Sequence, residues 1–132
     1  MALKAAFRFA NILGFRIFAT KVTAMTISIP EIAPKSLIQG FQGRFVHTEN
    51  ATLAFWEVEE GALLPEHAHI HEQTTCVLEG RFELTIAGHT SVYEPGLLAV
   101  IPSNVVHSGR ALSACKLLDV FCPVREDYRT NG

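Results

Sequence analysis

Gly, Pro and Asn cut this chain into short apolar stretches at nearly regular intervals between Gly40 and Asn104. Within several stretches apolar and polar residues alternate. In 51–59, Leu53, Phe55 and Glu57 fall on one face and Ala54, Trp56 and Val58 on the other; in 81–87, Phe82, Leu84 and Ile86 share a face. A period of two marks a strand with one side buried. The pattern predicts strands at 44–48, 51–59, 74–78, 81–87, 90–93, 97–101, 105–111 and 115–121, with 97–101 a continuous apolar run of the buried kind. Many short strands separated by turn residues predict an all-β sandwich or barrel.

The 132 residues suffice for one domain with a real core. Hydrophobic residues make up 48% and charged residues 18%, which excludes a disordered chain. A formal net charge of −2 supplies no field for nucleic acid. The charge is unevenly spread: residues 1–30 hold Lys4, Arg8, Arg16 and Lys21 and no acid, which leaves seven of the 11 basic side chains against all 13 acidic ones, a formal −6. In 1–24, Phe9, Leu13 and Ile17 recur at helical spacing, with a weak point at Gly14. We read 1–25 as a short helical N-terminal extension and 26–132 as the barrel domain; a targeting peptide, or a natural start at Met25, are the other readings of the same stretch. Arg8 and Arg16 interrupt the most apolar run, so no membrane span is expected. Three cysteines, Cys76, Cys115 and Cys122, with no CxxC pair argue for reduced thiols and a cytoplasmic location. Cys122 lacks the neighbouring histidine that would mark a nucleophile.

The chemistry concentrates in Gly61–Gly80, where His67, His69 and His71 stand within five residues and Gln73 follows. In extended chain His67 and His69 share a face, and two converging imidazoles begin a divalent-metal site. Farther on, His107 follows the turn Pro102-Ser-Asn104 at the start of a strand.

These two segments resemble the paired motifs of the cupin family. The first motif is G(X)5HXH(X)3–4E(X)6G, matched by Gly61, His67, His69, Gln73 and Gly80; the second is G(X)5PXG(X)2H(X)3N, matched by Gly96, Pro102, Asn104 and His107. Gln73 replaces the usual glutamate, Asn104 a turn glycine and Ala111 the final asparagine. Asn accepts a positive φ more readily than most residues, so the turn is expected to survive. The resemblance implies a single-domain cupin, a double-stranded β-helix or jelly-roll barrel. It also implies one divalent metal ion held by His67, His69, Gln73 and His107. Three imidazoles and an amide oxygen suit zinc, nickel, iron or manganese. An amide cancels none of the ion's charge, which favours an anionic ligand and Lewis-acid work. It also departs from the two-histidine, one-carboxylate set of oxygen-activating iron. His71 is expected beside the ligands or at the mouth of the site, and His47 and His89 at the surface.

In Lys116-Leu-Leu-Asp119-Val-Phe121 one carboxylate interrupts an apolar strand and shares a face with Phe121. Burying it is costly unless it is paired or has a function. Arg125, four residues on, is placed to clamp a carboxylate. The run HEQTTCVLEGRFELTIAG and the ending Asp119, Phe121, Arg125, Glu126, Asp127 resemble the small pectin-degradation cupins of the KdgF type. That resemblance runs from Ala51 to Tyr128 and implies ketonisation of 4,5-unsaturated uronates, a small anionic sugar acid as substrate, and a homodimer. It assigns Asp119 to general acid–base work, Arg125 to the substrate carboxylate and Phe121 to the sugar ring. Two other readings stand beside it: a non-catalytic metal-dependent binder of small anions or sugars, and a metal-dependent oxygenase.

Overall fold

The computed structural model describes residues 23–130. The helical extension expected in the first 25 residues falls almost wholly outside them. After a 3-10 turn at Ile29–Glu31 come β1 (Lys35–Ile38), β2 (Phe41–His47), β3 (Thr52–Val58), β4 (Leu63–His67), β5 (Glu72–Glu79), β6 (Phe82–Ile86), β7 (His89–Tyr93), β8 (Leu98–Ile101), β9 (His107–Ala111) and β10 (Cys115–Cys122). A single short helix, α1 (Glu126–Thr130), closes the described chain.

The strands form two antiparallel sheets, a larger one in the order β1-β2-β3-β10-β5-β8 and a smaller one in the order β4-β9-β6-β7. Alternation decides which side chains fill the space between them. On β3, Thr52, Ala54, Trp56 and Val58 are buried, as the period of two requires; on β10, Cys115, Leu117, Asp119 and Phe121 are. Aromatic rings cross-link the layers: Phe41 of the larger sheet meets Phe82 of the smaller one edge-on, with centroids 6.3 Å apart, and Trp56 edge-on at 5.9 Å. The all-β jelly-roll expectation therefore holds.

Two turns show why their residues are there. Gly80 has φ +84°, and a Cβ at that position would run into the Ala114 carbonyl. Asn104 has φ +63°, so it does take the conformation of the glycine it replaces.

The structure departs from the sequence expectation in several places, the unpredicted strand β1 among them. The apolar run 97–101 is not buried on both sides: Ala99 and Ile101 point inward, while Leu98 and Val100 lie exposed on the outer face of an edge strand. Strand β4 carries Pro65, which weakens a strand reading, but β4 is the edge of the smaller sheet and pairs only with β9. Helix α1 is too short and too polar to give a periodic signal. Among the described residues no helix is long and apolar enough to cross a membrane. The cysteines are free, and Cys122 is exposed.

Candidate metal centre

The β4–β9 ladder builds the first half of the site. His67 ends β4, His107 begins β9, and the register sets them directly opposite, with ring centroids 4.2 Å apart. His69 lies just past β4, in the loop leading to β5, and its ring stands edge-on to His107 at 5.0 Å. One ligand nitrogen from each of the three rings falls within 4.8 Å of the others.

The remaining ring nitrogens explain the convergence. Nδ1 of His67 is 2.7 Å from the Pro65 carbonyl, Nδ1 of His69 is 2.9 Å from that of His71, and Nδ1 of His107 is 2.9 Å from that of Val105. A carbonyl can only accept, so each Nδ1 carries the proton and each Nε2 presents its lone pair. Main-chain anchoring of this kind fixes the tautomer and aim of metal-binding histidines. His107 is 1% exposed and its Nε2 is buried with no hydrogen-bond partner. Burial pulls its pKa down to about 4, and burial likewise lowers that of His69, helped by the charge of Arg125. Both rings are thus ready to ligate without first losing a proton.

Gln73, the second residue of β5, brings an amide oxygen to the cluster. Its Oε1 lies 3.0 Å from His69 Nε2. With Nδ1 already donating, a neutral His69 turns a lone pair toward a carboxamide oxygen, and a cation held by both relieves that meeting. The orphaned His107 nitrogen and the paired donors of His69 and Gln73 fit a divalent ion, and three nitrogens with one amide oxygen suit the zinc–nickel–iron–manganese range.

Behind Gln73 the polar groups continue into the barrel. Gln73 Nε2 donates to Thr75 Oγ1 at 2.9 Å, Thr75 Oγ1 donates to Asp119 Oδ1 at 2.7 Å, and Trp56 Nε1 donates to Asp119 Oδ2 at 2.9 Å. Asp119 is buried; desolvation pushes its pKa up to about 6 against the pull of these hydrogen bonds.

On the open side, Arg125 Nε and Nη2 fork onto the Asp127 carboxylate at 2.9 and 2.7 Å. The guanidinium lies 3.9 Å from the Tyr128 ring centroid and 4.8 Å from that of Phe121, and its Nη1 is buried without a partner. The Arg125 backbone N–H is held by Thr52 Oγ1 at 2.9 Å. Phe121 also meets the His69 ring edge-on at 5.6 Å. Leu37, Ile38, Leu64, His67, Arg125 and Tyr128 line a cavity of about 420 Å³ that His67 and Arg125 share.

The residues expected from the sequence thus gather in one region, with His67, His69, Gln73 and His107 converging, Asp119 beneath them and Phe121 and Arg125 alongside. His71 lies outside the histidine triad and serves it through its carbonyl. His89 is exposed as expected, whereas His47 is half-buried and bonds Thr52 Oγ1 at 2.8 Å. Sequence reading missed Thr75, Trp56, Thr52 and Tyr128. Thr75 was within reach of the alternation rule, two residues from Gln73 and on the same face; Tyr128, in a polar tail, gave no signal.

The sequence matches the family described as "Cupin domain" over residues 54–121. No curated protein matches it. Among solved structures, KdgF from Halomonas sp. superposes with a TM-score of 0.75 at 27% identity, covering 80% of this chain and 99% of that one. An RmlC-like cupin from Shewanella frigidimarina gives 0.75 at 23% identity, with 80% and 96% covered. Bacillus subtilis oxalate decarboxylase, a protein with Mn(II) centres, gives 0.67 at 24% identity, with 77% of this chain and 30% of that one covered.

Proposed function

This chain belongs to the cupin domain family, and from that premise we propose that it is a metal-dependent enzyme converting 4,5-unsaturated uronates, the breakdown products of pectin or alginate, to their linear keto forms. The observation that carries the proposal is that Arg125 and His67, one of the three clustered histidines, line the same cavity. A cation site and a guanidinium set side by side suit a small, oxygen-rich acid, and the likeness to KdgF points to the same class of substrate.

The reaction is an isomerisation. The ring C1–O bond breaks, the C1 hydroxyl gives up its proton to leave an aldehyde, and the enolate so formed takes a proton at C4 to become the keto acid. His67, His69, Gln73 and His107 would hold a divalent ion, which would supply Lewis-acid polarisation of substrate oxygens. Arg125 Nη1 binds the carboxylate while Asp127 keeps the guanidinium from turning. Phe121 and Tyr128 flank the guanidinium and form the wall for the sugar ring. Asp119 handles the proton destined for C4, a role suited to a carboxyl whose pKa burial has raised. The same reading takes the protein as a cytoplasmic homodimer whose first 25 residues have no catalytic role.

Lyase-generated unsaturated galacturonate tests this directly, because its ultraviolet absorbance disappears as the double bond is lost. The wild-type protein is expected to accelerate that loss and Asp119→Ala to abolish the acceleration; equal rates would reject the assignment. One observation favours a second reading: both Asp119 oxygens already accept hydrogen bonds, from Thr75 and Trp56. A site whose acid is fully engaged is a binding site, and in that case the uronate binds tightly without turnover.

A further inference from the structure

We propose that Thr75 is the positioning residue that makes Gln73 a metal ligand of fixed polarity and connects it to the negative charge of Asp119. The inference rests on the metal reading of the histidine cluster. A carboxamide can present either its oxygen or its nitrogen, and only the oxygen ligates. Thr75 decides between them. Its hydroxyl has one hydrogen, and Asp119 Oδ1, 2.7 Å away, takes it. The hydroxyl oxygen can then only accept, so the group 2.9 Å from it must be the amide of Gln73, and Oε1 is turned toward His69. Asp119 accepts on both oxygens, with Trp56 donating to the second, which is the hydrogen-bonding pattern of a carboxylate.

The pleat makes this chain possible. Gln73 and Thr75 are two apart on β5 and share its inner face; both are buried, and Thr75 stands directly opposite Asp119 across the β5–β10 ladder. Gln73, Thr75 and Asp119 are all buried, so bulk water does not compete for these bonds. One consequence concerns charge. Gln73 places no charge on the ion, yet a carboxylate lies two hydrogen bonds behind it and polarises the amide so that its oxygen becomes the better donor of electron density. The usual glutamate at this position has no N–H to give Thr75, so the glutamine and the Thr75–Asp119 pair belong together.

Cobalt(II) provides the probe, since its visible spectrum reports the ligand set and its affinity follows from chelator competition. The holoprotein and Thr75→Val, which keeps the volume and loses the hydroxyl, are compared with Thr75→Ser, which keeps the hydroxyl. Thr75→Val is expected to lower cobalt affinity about 10- to 100-fold and to shift the spectrum, with Thr75→Ser close to wild type in both. Should Thr75→Val not fold, Thr75→Ala carries the same expectation. A folded Val or Ala variant with wild-type affinity and spectrum overturns the role of Thr75 while leaving the metal site standing. A wild-type protein that binds no cobalt overturns the metal site, and this inference with it.

Discussion

His67 and His107 are partners across an antiparallel ladder, with ring centroids 4.2 Å apart, although 40 positions separate them in the chain. The β4–β9 ladder therefore sets the spacing of the two rings. Removing either ring takes one candidate donor nitrogen out of the cluster. His107→Ala is expected to weaken metal binding by at least about 100-fold, beyond what loss of a supporting contact costs, as measured by chelator competition. Unchanged affinity would mean that the ion sits elsewhere.

How much of this was legible beforehand follows from where each residue lies. His67, Gln73 and His107 are at strand ends, where motif spacing translates directly into position. Phe121 and Asp119 fell to alternation alone, and both are buried as the rule requires. His69 was placed on the strand face with His67, but it lies in the loop beyond β4, and its aim comes from the His71 carbonyl. Such an anchor is a tertiary fact that no spacing encodes. Thr75 shares the face of Gln73, yet its importance appears only once β10 is known to lie beside β5. Tyr128 could not be read at all, because a five-residue polar helix carries no periodicity.

Arg125 forks two donors onto Asp127 and keeps a third, Nη1, without a hydrogen-bond partner, an arrangement that needs a planar guanidinium. Arg125→Lys keeps the charge and loses the fork. KM for an unsaturated uronate is expected to rise about tenfold or more, the scale of a lost charge-assisted hydrogen bond, with a smaller change in kcat. A KM equal to that of the wild type would remove Arg125 from substrate binding.

Trp56 Nε1 donates to a carboxylate that is 8% exposed. Trp56→Phe deletes that donor and leaves the charge short of a partner, at a cost of about 1.5–3 kcal/mol from the lost hydrogen bond and more from the lost ring volume. Denaturant unfolding of the variant measures it. A loss below about 0.5 kcal/mol, inside the range of an ordinary surface substitution, would show that Asp119 does not depend on this donor.

Burial pushes the Tyr128 hydroxyl up to about 12 from its ordinary value of 10.0, with the charge of Arg125 opposing the shift. The native state therefore holds its proton where the unfolded chain has lost it. The stabilisation is fully present below pH 10 and is lost as pH rises through about 12. Alkaline denaturation curves should show this dependence, worth up to about 3 kcal/mol, and Tyr128→Phe should flatten it. An equally steep curve for the variant would place the cause in another group.

The central claim, that the histidine cluster holds an ion needed to ketonise an unsaturated uronate, is tested most directly by following substrate absorbance with one preparation as purified, stripped by chelator, and reloaded with a divalent metal. The account predicts that the rate above background is lost on stripping and restored on reloading. A stripped protein, verified metal-free, that turns over the uronate as fast as the loaded one would contradict it.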